Sequence, residues 1–249
     1  SNRENQFVVA DRAMKVLEDA QKPYAIIPGN HDTAADYQFY RQYFSPERQR
    51  KSSTFQQISP SGLGNWHRFK VSGVTMMSVN LPWDASEADL DWAEGVLDAH
   101  PNVPTILTSH QIINIDAQNT AMDTEFGDTL WNRLINNHNQ VFLTYNGHHH
   151  GATNKVRTNA SGQPVMQQLL DYQMAYQGGN ALMSMVEFDF THSQLSQTSF
   201  SPWVLQKPQD KLNAFDRALL DGPGETYTID FDFEKRFASF NADYTPQGS

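Results

Sequence analysis

Apolar residues recur at helical spacing through residues 7–20, at Phe7, Ala10, Met14 and Leu17, and predict a helix with one buried face. A short apolar run at 24–27 follows and is cut off by Pro28-Gly29. It predicts a buried strand that delivers Asn30, His31 and Asp32 to its carboxyl end. The same stretch also fits an ordinary turn, with Asp32 a candidate helix cap. Residues 34–43 predict a helix presenting Tyr37, Phe39 and Tyr40, and the polar stretch 45–64 predicts a long, mobile loop. The runs 66–71 and 74–80 flank Ser72-Gly73 and predict a hairpin.

Residues 84–100 carry Leu90, Ala93 and Leu97 on one side, and Ser86 with Asp89 makes a capping-box pattern at the start. The carboxylates of this helix read as a solvated face. Runs at 103–108 and 141–145 predict two more buried strands. The first stops at Ser109-His110-Gln111 and the second at Gly147-His148-His149-His150, with a helix marked by Phe126, Leu130 and Leu134 between them. From Lys155 onward the pattern changes to short strands at 165–170, 181–190, 194–200 and 227–233. Turn signals at Asn159-Ala160-Ser161-Gly162 and Gln177-Gly178-Gly179-Asn180 separate them. No repeat or linker divides the chain, so it reads as one domain over 1–249 with a β-rich part at 155–249.

Composition narrows the chemistry. No run of eighteen apolar residues exists, so no membrane span is expected. A net charge of −10 opposes a broad nucleic-acid surface. It leaves room for a small phosphorylated substrate, because bound cations would dominate the local field at such a site. The chain has no cysteine, so any metal must be held by His, Asn and carboxylates. Three predicted strands each stop at a polar cluster, and in a parallel sheet such ends lie along one edge. In an extended backbone His148 and His150 would face together and His149 away. A His-x-His pair with an Asn oxygen suits a borderline divalent ion such as Mn, Fe or Zn.

These residues carry a resemblance. Gly29-Asn30-His31-Asp32, His110 and Gly147-His148-x-His150 resemble the later motifs of the calcineurin-like metallophosphoesterases, over most of the chain. Leu170-Asp171-Tyr172-Gln173, Gly178-Gly179-Asn180, Phe200-Ser201-Pro202-Trp203 and Tyr227-Thr228-Ile229-Asp230-Phe231 resemble the tail of a bacterial, often exported branch. The resemblance implies an α/β protein, an α-β-β-α sandwich with mixed sheets, and hydrolysis of a phosphomonoester or phosphodiester with two divalent ions. It implies that Asn30, His110 and His148 bind one metal and His150 the other. His31 would stand beside the leaving oxygen as proton donor or transition-state stabiliser, with Asp32 orienting its ring. An extracellular, periplasmic or envelope location follows from the branch alone.

The family pattern also has an Asp-x-His and a Gly-Asp motif ahead of Gly-Asn-His-Asp, and neither stands before Gly29. The expectation is an N-terminally truncated chain, holding one ion or none, with impaired activity and an open sheet edge available to another copy. His149 is expected at the pocket rim. Asp171 and Tyr172 are candidate pocket residues, although a buried tyrosine with a hydrogen-bonded hydroxyl fits equally well. Trp83, Trp92 and Trp131 are expected as core or loop anchors. The competing reading is a non-catalytic binding module that keeps the fold, and the intact His31 and His-x-His favour the enzyme.

Overall fold

Residues 3–245 are described by a computed structural model; Ser1, Asn2 and residues 246–249, which the boundary 1–249 includes, lie outside the described residues. After helix α1 (Glu4–Asp19) the chain passes through α2 (Ala34–Tyr43) and α3 (Pro46–Gln49) into β1 (Phe55–Ile58), β2 (Asn65–Val71) and β3 (Val74–Leu81). Helix α4 (Glu87–Ala99) leads to β4 (Thr105–Ser109), the small pair β5 (Ile113–Ile115) and β6 (Ala121–Asp123), and helix α5 (Glu125–Leu130). Strands β7 (Val141–Asn146), β8 (Gly151–Thr158) and β9 (Pro164–Asp171) complete a seven-stranded mixed sheet in the order β1-β2-β3-β4-β7-β9-β8. Helical crossovers make β3, β4 and β7 parallel, and the β8–β9 hairpin folds inward so that β9 also runs parallel to β7.

Alternation along the strands gives the sheet two apolar faces. On one, Met77, Val79, Leu107, Val141 and Val165 pack against Leu90, Ala93 and Leu97 of α4 and against Leu130, Trp131 and Leu134. On the other, Met76, Phe142 and Met166 meet Leu195, Phe231, Phe233 and Phe237. The last group belongs to a second sheet of β10 (Met183–Asp189), β11 (Gln194–Phe200), β12 (Leu219–Leu220) and β13 (Tyr227–Asp230), and to the short helix that follows it. This second sheet is antiparallel throughout, where two mixed sheets were expected, because its strands are joined by hairpin turns and longer loops rather than helical crossovers.

Three further expectations need correction. Residues 24–27 form no strand. Their polar backbone groups are taken by side chains instead: the Ile26 carbonyl accepts from the Tyr40 hydroxyl (3.0 Å) and from Asn65 Nδ2 (2.8 Å), and the Tyr24 amide donates to Ser52 Oγ (3.2 Å). Residues 45–64 are built rather than loose. Ser45 Oγ caps α3 by accepting from the Arg48 amide (3.3 Å), β1 joins the sheet, and the Ser61 amide donates to Asp89 (3.1 Å). Asp89 is therefore buried rather than part of a solvated face, while also making the expected capping box with Ser86. Finally, Ala35, Asp36 and Tyr37 take φ of 48°, 55° and 60°, so regular helix in α2 starts only after them.

Candidate functional site

Four parallel strands lie side by side in the order β3, β4, β7, β9, so their carboxyl ends share one edge. Just beyond these ends come Trp83, His110 and His148, and β9 closes on Asp171. Such an edge is where open α/β sheets collect ligands, because loops there are free to vary while strands fix their origins.

Asn30 reaches this edge from the other direction, on the 3-10 turn Asn30–Asp32. The turn is locked from within. The Gly29 amide donates to Asp32 Oδ2 (2.9 Å), and the Asp32 amide donates back to the Gly29 carbonyl (3.0 Å). The Pro28 carbonyl accepts from the Trp83 amide (3.0 Å), which fastens the turn to the end of β3. Asn30 Oδ1 then stands 2.9 Å from His110 Nε2, across eighty positions of sequence. Glycine is required beside it for space: a Cβ on Gly29 would lie 2.6 Å from His110 Cε1.

The His110 ring sits among Asn30, the Trp83 indole (centroids 5.5 Å apart) and the His148 ring (5.0 Å). Burial, with the neighbouring His148, pushes its pKa down to about 4. Burial lowers that of His148 too, against the pull of the Asp171 carboxylate. Both imidazoles are thus held neutral near pH 7, the form that offers a lone pair.

His148 has φ of 68°, and residues 147–150 are not extended. The expected strand parity of His148 and His150 therefore does not apply. His148 packs on Trp83 (4.7 Å) and on His149 (4.5 Å), whose buried Nε2 has no hydrogen-bond partner. His150 is exposed, with Nε2 2.9 Å from Gln173 Nε2. His31 is exposed on the same turn as Asn30. Asp171 and Tyr172 both line a cavity of about 640 Å³ that also reaches His110 and His148, and the Tyr172 hydroxyl donates to Ser199 Oγ (2.7 Å).

The structure thus brings Asn30, His110 and His148 together with Asp171 nearby, and leaves His150 with Gln173. Reasoning from sequence missed Trp83 as a site residue. Its signal was present, since the apolar run at 74–81 halts at Pro82-Trp83-Asp84 just as other strands halt at histidines.

Among the described residues no group of three or more His, Cys, Asp or Glu is placed to hold a metal. The donors that converge are one amide oxygen and two imidazoles. With its proton on Nε2, His110 donates to Asn30 Oδ1, and a divalent cation in place of that proton would find two lone-pair donors facing it. This set fits part of one ion's shell. For a second ion the structure offers His150 as a single imidazole.

A family model described as calcineurin-like phosphoesterase matches residues 3–152. The "Uncharacterized protein YvnB" of Bacillus subtilis (strain 168) is 24% identical over 248 residues, which cover 96% of this chain and 18% of the relative. The chain therefore spans less than a fifth of the length of that protein.

Proposed function

Because this chain belongs to the calcineurin-like phosphoesterases, we propose that it hydrolyses phosphoric esters at the shared ends of β4 and β7, with a divalent metal ion held by Asn30, His110 and His148. The observation that carries this reading is the meeting of Asn30 Oδ1 with the neutral His110 ring, beside His148. A divalent ion bound there supplies Lewis-acid stabilisation of the phosphoryl oxygens.

The remaining work falls to the chain. Burial keeps both ligand imidazoles unprotonated, and the Trp83 indole packs against both rings. Asp32 holds the turn that presents Asn30. His31, exposed on that same turn, is the group we assign to give a proton to the departing alcohol oxygen. A two-ion form adds His150 as ligand to the second ion, which requires it to exchange Gln173 for metal.

The test is metal content and turnover together. The chain is stripped with chelator, reloaded separately with Mn, Fe or Zn, and assayed with p-nitrophenyl phosphate and its bis-ester. Expected is hydrolysis that needs the metal and falls at least tenfold in His110→Ala and in Asn30→Ala, since each removes a ligand. Turnover that survives both the chelator and His110→Ala overturns the proposal. Metal uptake without hydrolysis of either ester favours a binding module instead.

A further inference from the structure

Residues 28–37 carry Asn30, His31 and Asp32, and both ends of this loop are fastened to one residue, Trp83. At the entry the Pro28 carbonyl accepts from the Trp83 amide (3.0 Å). At the exit the Tyr37 hydroxyl donates to the Trp83 carbonyl (3.3 Å). The two feet stand on the peptide groups either side of a single Cα. The indole on that Cα packs against the His110 and His148 rings, with centroids 5.5 and 4.7 Å away. Fastening the loop to Trp83 therefore fixes Asn30 relative to both imidazoles.

The exit foot depends on unusual backbone. Ala35, Asp36 and Tyr37 take φ of 48°, 55° and 60° in succession, and Asp84, directly after the Trp83 carbonyl, takes 52°. None of the four is glycine, and the left-handed region crowds each Cβ against the following carbonyl. Such conformers persist where the surroundings over-determine them. Here Arg41 does so. Its Nε donates to the Asp36 carbonyl (3.0 Å), and its guanidinium faces the Asp36 carboxylate (3.7 Å) and lies 6.0 Å from the centre of the Tyr37 ring. Its Nη1 donates to the Ser61 carbonyl (2.8 Å), and the Ser61 amide in turn donates to buried Asp89 (3.1 Å). The left-handed turn is thus braced from the body of the fold, and what it delivers to Trp83 is the Tyr37 hydroxyl.

Resting on the phosphoesterase reading, we propose that Tyr37 is a positioning residue for the metal ligand Asn30. Its hydroxyl, aimed by the Arg41-braced turn, closes the loop on Trp83 and keeps Asn30 Oδ1 within reach of an ion on His110 and His148. It acts through Trp83 and the loop rather than by touching the ion. Two feet hold better than one, because the loop swings away from the imidazoles only when both let go together.

The experiment reads the loop first without metal and then with it, on the full chain. Tyr37→Phe removes only the hydroxyl. Tyr43→Phe is its control, since it loses a tyrosine hydroxyl bond of α2 to Glu4 Oε1 (3.0 Å) that lies outside residues 28–37. Arg41→Ala releases the turn by an independent route, and circular dichroism confirms that the variants are folded. In the chelator-stripped chain, NMR exchange of the Trp83 amide should quicken about fivefold in Tyr37→Phe, the worth of one neutral hydrogen bond, while β4 amides do not change. Arg41→Ala should quicken it too, and Tyr43→Phe should not. In calorimetric titrations with Mn, Tyr37→Phe should bind about fivefold more weakly than the wild-type chain. Added to Asn30→Ala it should cause no further loss, because the ligand it positions has gone. Unchanged Trp83 exchange in Tyr37→Phe overturns the assignment, and so does an equal loss of Mn affinity in the Asn30→Ala background or in Tyr43→Phe. Quickened Trp83 exchange in a chain whose wild type takes up no metal upholds the clamp and overturns the metal centre. Metal uptake and ester hydrolysis that Tyr37→Phe leaves untouched do the reverse.

Discussion

His67 provides a quantitative test that needs no substrate. It lies on β2 with 3% of its surface exposed, its Nδ1 2.9 Å from Thr54 Oγ1 and its Nε2 buried without a partner. Protonation would bury a second N–H with nothing to receive it, and burial accordingly pushes the pKa from 6.5 down to about 4. The unfolded chain therefore binds a proton between these values that the folded chain refuses, and stability falls as pH is lowered through that window. From pH 8 to pH 5 the loss from this residue alone is about 2 kcal/mol, reaching about 3 kcal/mol below pH 4. His67→Phe keeps an aromatic ring beside Phe55, whose ring meets it edge-on at 5.7 Å, but cannot take the proton. The variant forfeits the Thr54 hydrogen bond, a cost of about 1 kcal/mol that does not vary with pH. Urea unfolding of both proteins at pH 8, 6.5 and 5 measures the difference. Other histidines contribute equally to both curves and cancel. The stability difference should therefore shift by about 2 kcal/mol in favour of the variant between pH 8 and pH 5, so that the two curves cross. Parallel curves would falsify the claim that burial keeps this imidazole neutral.

Other expectations follow from particular contacts. Gly29→Ala places a Cβ against the His110 ring at an ordinary φ of −102°, so metal affinity should drop at least tenfold while the thermal midpoint moves little. Isothermal titration with Mn on the chelator-stripped protein reads it. Ala35→Gly relieves a left-handed φ of 48° on an exposed residue and should raise stability by about 1 kcal/mol in urea. Gly127→Ala would drive a Cβ into the Ile112 carbonyl oxygen, and this backbone clash should cost about 3 kcal/mol or reduce the yield of folded protein.

Much of the frame could be read along the chain because periodicity and capping act locally. The helix at 84–100 showed both its apolar stripe and its Ser86–Asp89 box, and the runs ending at His110 and His148 each became a strand of the parallel set. What failed depends on distant partners. Residues 24–27 are as apolar as a strand requires, yet Tyr40, Asn65 and Ser52 occupy the backbone positions a ladder would use. The facing of His148 and His150 was inferred from strand parity, which one residue in the left-handed region removes. The polarity of 45–64 suggested looseness, because sequence does not show that Asp89 would be waiting for the Ser61 amide. Asp171 and Trp83 reach the site edge through the order of strands in the sheet, and that order is set by pairing between segments far apart in the chain.

The hydrogen bonds to residues 24–28 have a mechanical consequence. His110 and His148 stand just beyond the ends of β4 and β7, each paired with a neighbouring strand on both sides, whereas Asn30 rides on an arm attached through the Tyr40, Asn65 and Ser52 side chains and the Trp83 amide. At about 1 kcal/mol net for each bond, that attachment is worth only a few kcal/mol. The centre is thus a jaw with one fixed and one hinged side. A ligand bridging Asn30 and His110 would brace the hinge, so occupancy should slow amide exchange along residues 24–32 far more than along β4 or β7.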